Sequence, residues 1–136
     1  MRRADTRRVM ERLLFVCLGG AVGTGARYLV GGWLQKALGA SFPYGTFAVN
    51  LLGSFVLGLL MVVSVDSESI SPTMRIAITT GAMGGFTTYS TFSYETMRFA
   101  QGGAYGMAAL NVGLTVTVCL MASFAGVAVG RLLVAS

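Results

Sequence analysis

The sequence predicts an all-α membrane protein of four transmembrane helices, the third broken near its middle. Three observations carry that expectation. Only 11% of the 136 residues are charged and 54% are hydrophobic, whereas a soluble domain carries about a quarter charged residues. Apolar runs recur at the length of about 20 residues that one membrane helix needs, and the mean hydropathy is +0.72. One run, RIAITTGAMGGFTTYSTFSYETMRF, holds three glycines followed by a dense hydroxyl cluster. That is poor material for an uninterrupted helix, because each glycine costs about 1 kcal/mol relative to alanine.

In chain order, residues 1–12 (MRRADTRRVMER) are basic and too polar for lipid, and read as an N-terminal tail. Residues 13–136 read as a single four-helix transmembrane domain. The first apolar run, about 13–38, lacks a small-residue cleavage site and is expected to be retained rather than removed as a signal peptide. The second, about 45–65, is entered through Phe42-Pro43-Tyr44. A polar loop, DSESISPT, leads to the third, about 74–100. Gln101-Gly102-Gly103 then leads to the fourth, about 104–134. Short loops make neighbouring helices antiparallel. The 19 glycines suit close helix packing, since lipid gives apolar faces no drive to associate.

Basic residues beside a membrane helix mark the cytoplasmic side and attract anionic lipid. Arg2, Arg3, Arg7, Arg8, Arg12, Arg75 and Arg131 fall on the side of the termini, against Lys36 and Arg98 on the other. That bias places both termini inside. Translation from Met10 would remove most of it, so the orientation depends on the tail.

Several function classes are excluded. The chain has no histidine, so it has no His-ligated metal site, His proton relay or His-based nucleophile activation. Cys17 and Cys119 stand alone in apolar runs without metal or redox spacing. GGAVGTG mimics a phosphate loop, but no strand precedes it and no lysine follows. Neither an enzyme nor a nucleic-acid partner is expected.

Polar groups within membrane segments are costly and point to function. Arg27, midway along the first segment, keeps its charge and must snorkel, pair with an acid or face a water-filled vestibule that concentrates anions. Asn50 either bonds across to another helix or lines a pore. In the third segment Gly81, Gly84 and Gly85 precede Thr87, Thr88, Ser90, Thr91 and Ser93. A break there is tolerated only where protein, water or an ion satisfies the freed carbonyls, which are suitable ligands for a hard cation such as Na⁺. The alternative is a continuous helix whose hydroxyls bond back to the preceding turn. Tyr89 and Phe92, three apart, share a helical face, and aromatic edges can meet an anion. On the fourth segment Asn111, Thr115 and Cys119 form a stripe at i, i+4 and i+8, fit either for a polar track or for interhelical hydrogen bonds.

The motifs GGAVGTGARY, YGTFAVNLLGSFVLG and above all TGAMGGFTTYSTFSYET resemble the small bacterial Fluc-type (CrcB) fluoride channels, over essentially all of residues 13–134. The resemblance implies passive export of fluoride from the cytoplasm through two pores. These form in an antiparallel, dual-topology dimer in the bacterial inner membrane, around a structural Na⁺ that is not transported. It implies a cation held by the carbonyls of Gly84 and Thr87. Pore aromatics fall at Tyr89 and Phe92, and a polar track includes Ser90 and Thr91. Vestibule and pore positions fall at Arg27 and Asn50, and the family's carboxylate at Glu95. Tyr89 departs from the family, which commonly has Phe there. The basic tail sits awkwardly with dual topology, so a heterodimer with an oppositely oriented paired chain stands beside the homodimer. Two rivals remain at this level. One is a proton-coupled four-helix exporter, for which Glu95 is the available titrating carboxylate; the other is a non-conducting assembly subunit.

Overall fold

The structure, a computed structural model, describes residues 3–66 and 70–135. Arg2 and residues 67–69 of the polar loop, both used in the reading above, lie outside them. The described chain is helical apart from its turns. Helix α1 spans Arg3–Leu38, α2 spans Tyr44–Asp66, α4 spans Tyr89–Gln101 and α5 spans Tyr105–Ala135. Between α2 and α4 lie three consecutive pieces: an α-helical turn Pro72–Ile76, a wide π-helical stretch Ala77–Met83 and a short turn Gly84–Phe86. Together they are called α3.

Helix α1 includes the described part of the basic N-terminal stretch. Over the described residues the helix runs unbroken from Arg3 into the apolar run. The physical reason is local. No Gly or Pro interrupts residues 3–18, and Asp5 sits in the first turn, where a negative charge complements the helix dipole. At 36 residues and 1.5 Å per residue, α1 is about 54 Å long, well beyond the hydrocarbon thickness of about 30 Å. It ends where Gly39 adopts φ 85°, a left-handed stop that glycine takes without steric cost. The Gly39 amide donates to Gln35 O at 3.1 Å.

Phe42 and Pro43, both buried, turn the chain into α2, with the Phe42 ring meeting Tyr44 and Phe47 edge-on at 5.3 and 6.0 Å. Ser71 caps α3, its hydroxyl accepting from the Met74 amide at 3.2 Å. Gly103, at φ 75°, turns α4 back into α5.

Among the described residues three helices are long and apolar enough to cross a membrane: Asp5–Leu38, Tyr44–Ser64 and Tyr105–Ala135. Helix α2 packs chiefly against α5, α1 against α3, and α4 against α5. Glycines bring the backbones together. A Cβ on Gly58 would stand 2.5 Å from Ser123 O, one on Gly81 would stand 2.7 Å from Val16 O, and one on Gly85 would stand 2.5 Å from Gly20 O. Added methyls on Gly19, Gly23 and Gly126 would overlap Ala77, Ala82 and Phe55 backbone atoms outright. These contacts are the small-residue interfaces that membrane helices need. By contrast Val22, Tyr28, Leu29, Trp33, Phe124 and Leu132 face outward, the inverse of a soluble core.

Candidate functional site

The site grows from the two residues between α3 and α4. Helix α3 ends at Phe86, Thr87 and Thr88 are extended (φ −83°, ψ 161° and φ −153°, ψ 110°), and α4 starts at Tyr89. Glycine-rich α3 follows α1, whereas α4 follows α5, so the chain leaves one partner for the other here. The Thr87 side chain looks backward: its hydroxyl and its amide both donate to Met83 O, each at 3.0 Å. Thr88 looks forward as the N-cap of α4. Its hydroxyl accepts from the Thr91 amide at 3.2 Å and donates to Thr91 Oγ1 at 2.9 Å, and it lies 3.3 Å from Ser90 Oγ. Such a cap satisfies an amide that the first helical turn leaves without a partner.

The remaining polar groups of these two residues are met from α1 and α2. Arg27 Nη1 donates to Thr87 O at 3.1 Å. The Asn50 amide takes both backbone groups of Thr88, donating to its carbonyl at 3.1 Å and accepting from its N–H at 2.7 Å. The carbonyl of Thr87 and the amide and carbonyl of Thr88 are therefore hydrogen-bonded by protein side chains.

Beside it opens a cavity of 780 Å³ between α1, the Phe42 turn, α2 and α4. Arg27, Thr46, Thr88, Thr91, Glu95 and Arg98 supply its polar wall. Thr46 donates to Glu95 Oε1 at 2.8 Å, while the buried Oε2 has no hydrogen-bond partner among the described residues. Two guanidinium groups against one carboxylate leave the wall net positive, a field that draws anions.

The sequence-selected residues fall into three places. Arg27, Asn50, Thr87, Thr91 and Glu95 meet at the break and its cavity. Tyr89 is 80% exposed and Phe92 is 7% exposed, with ring centroids 5.7 Å apart at 53°; neither lines the cavity, and Ser90 and Gly84 face outward. Asn111 and Thr115 are buried on α5, and Asn111 reaches α4. Asn111 Nδ2 donates to Thr96 Oγ1 at 2.8 Å, Thr115 Oγ1 donates to Asn111 Oδ1 at 3.5 Å, and Thr96 Oγ1 donates to Phe92 O at 2.8 Å. The sequence reading missed Thr46 and the capping role of Thr88. Thr46 stands four residues before Asn50, hence on the same face of α2, a spacing that could have exposed it.

The model of CrcB-like proteins, described as Camphor Resistance (CrcB), matches residues 14–127. The chain belongs to the CrcB-like family. Its relatives include a protein of Sorangium cellulosum (strain So ce56), 47% identical over 126 residues that cover 93% of this chain and 99% of the relative. A protein of Citrifermentans bemidjiense is 48% identical over 124 residues, covering 91% of this chain and all of the relative. One from Anaeromyxobacter sp. (strain K) is 50% identical over 116 residues, 85% of this chain and 92% of the relative. All three carry the name fluoride-specific ion channel FluC. Membership of this family and three apolar helices of spanning length make the chain a multi-pass membrane protein.

Proposed function

We infer that the chain is a subunit of a fluoride-specific ion channel, not an enzyme, that lets fluoride leave the bacterial cytoplasm passively across the inner membrane. The observation that carries this is identity of about half, over nearly the whole length, to proteins named for that activity. The residue chemistry suits such an ion. A small, strongly hydrated anion needs donors to replace its water, and the hydroxyls of Ser90 and Thr91, the positive ring edges of Tyr89 and Phe92 and the field of Arg27 supply them. Asn111 and Thr115 would extend the polar path along α5. Glu95 stands at the cavity end of it.

In this reading residues 72–101 make one interrupted third crossing, giving four membrane segments. Two subunits pair in antiparallel orientation, as a homodimer or with an oppositely oriented paired chain. Supporting it, Gly84, Tyr89, Ser90, Thr91 and Ser93 are exposed on a single chain, and hydroxyls facing lipid are unfavourable; a second subunit would cover them. A structural Na⁺ suits the carbonyls of Gly84 and Thr87. Backbone oxygens are hard donors, and Thr87 O, holding one bond from Arg27, keeps a second lone pair. One chain offers two such ligands and a pair offers four. When bound, Na⁺ supplies fixed positive charge at the dimer centre.

Expression in a bacterium stripped of its own fluoride exporters tests the function. Growth in fluoride should be restored, and failure at normal membrane abundance counts against it.

A further inference from the structure

We propose that Arg27 and Asn50 are positioning residues that clamp the break, acting on conduction through the backbone of Thr87 and Thr88 rather than by touching the ion. The proposal rests on the channel reading for its effect on flux, but its structural half stands without it.

Two successive residues in extended conformation interrupt the intrahelical ladder. Thr87 keeps a helical bond for its amide, and Thr88, as N-cap, heads α4 with its carbonyl; the Thr87 carbonyl and the Thr88 amide lie at the junction itself. Side chains of other helices add three hydrogen bonds at this junction: one from Arg27 on α1 to the Thr87 carbonyl, and two between Asn50 on α2 and the backbone of Thr88. The amide of Asn50 is complementary to a peptide unit, one donor and one acceptor side by side. It thus pairs with Thr88 as a neighbouring strand would. With Oδ1 and one N–H so used, Asn50 has a single N–H left for anything else. Arg27 approaches the opposite side of the same peptide junction. Its planar, permanently charged fork holds the Thr87 oxygen while its remaining donors face the cavity. The side chains that the sequence marks as anomalous in lipid are therefore the partners of the backbone that lipid cannot satisfy.

Hydrogen–deuterium exchange on the reconstituted protein, followed for peptides covering residues 86–91 with α5 peptides as reference, separates this from direct ion contact. The variant Asn50→Asp keeps the acceptor for the Thr88 amide and loses the donor to its carbonyl; Asn50→Leu loses both. Exchange across 86–91 should rise by about tenfold for each bond lost, the scale of one buried hydrogen bond, in the order Asn50→Asp then Asn50→Leu, with α5 unchanged. Arg27→Lys, which keeps the charge but not the fork, should loosen the same peptides. Combined with Asn50→Asp it should lower fluoride flux by less than the product of the single effects, since both act on one junction. Flux lost with exchange at 86–91 unchanged overturns the clamp and leaves the channel reading standing. Fluoride flux absent from the unmutated protein, with the exchange order as expected, does the reverse. Exchange rising equally in α5 means general unfolding, and it also overturns the proposal.

Discussion

Thr87 seats its methyl over Gly53: a Cβ added at Gly53 would overlap Thr87 Cγ2 and lie 3.3 Å from the Phe86 ring. The break thus rests on α2 through the absence of a side chain at one position and through the amide of Asn50 one turn earlier. Gly53→Ala is expected to displace Thr87 and destabilise the protein by about 1–3 kcal/mol, the usual range for overpacking. Gly106→Ala, where an added Cβ meets nothing within 4 Å, should leave stability unchanged. Thermal unfolding followed by size-exclusion recovery compares the two.

The glycine contacts between α1 and α3 make a second expectation. At Gly85 an added methyl would stand 2.5 Å from Gly20 O, and at Gly23 it would meet the Ala82 carbonyl and the Phe86 amide. These are backbone atoms, which cannot rotate aside. Gly23→Ala is therefore expected to cost more than Gly53→Ala, whose main neighbour is a side-chain methyl, and to lower the yield of folded protein extracted from membranes.

Between α4 and α5, Thr96 links Asn111 to the Phe92 carbonyl. Thr96→Val leaves Asn111, 1% exposed, without its acceptor. A loss of about 1 kcal/mol is expected, within the range for interhelical hydrogen bonds in membranes. Thr115→Val should cost less, because its bond to Asn111 is 3.5 Å long. Unfolding by graded detergent denaturation gives the order.

Glu95 decides between a channel and a proton-coupled exporter. Its Oε1 accepts from Thr46, its buried Oε2 has no partner among the described residues, and the residue stands in the cavity wall. Glu95→Gln keeps the size and an acceptor for Thr46 and removes the titrating charge. Passive fluoride flux is expected to persist within about tenfold, the scale of one altered hydrogen bond. Flux abolished by this change would favour a carrier in which that carboxylate must bind and release a proton.

The helical class was legible in the sequence because it is compositional. Apolar length marks helices, and glycine followed by hydroxyls marks residues 81–93. Less legible was where the individual side chains point. Asn50 and Arg27 stand out as polar groups in lipid, yet nothing local shows that their partners are Thr87 and Thr88, 38 and 60 residues away in the chain. The stripe Asn111–Thr115 was visible by spacing, but its burial against Thr96 is tertiary information. The basic stretch at residues 1–12 was set apart on charge, whereas helix continuity depends on the absence of breakers, and residues 3–18 contain no Gly or Pro.

The most direct measurement is fluoride release from proteoliposomes, recorded with a fluoride electrode while an ionophore clamps the membrane potential and the pH is equal on both sides. Release should be immediate, driven by the fluoride and electrical gradients alone, with chloride retained in parallel vesicles. It should fall on substitution of Tyr89 or Phe92. No release, or release only when a proton gradient is imposed, would contradict a passive fluoride channel.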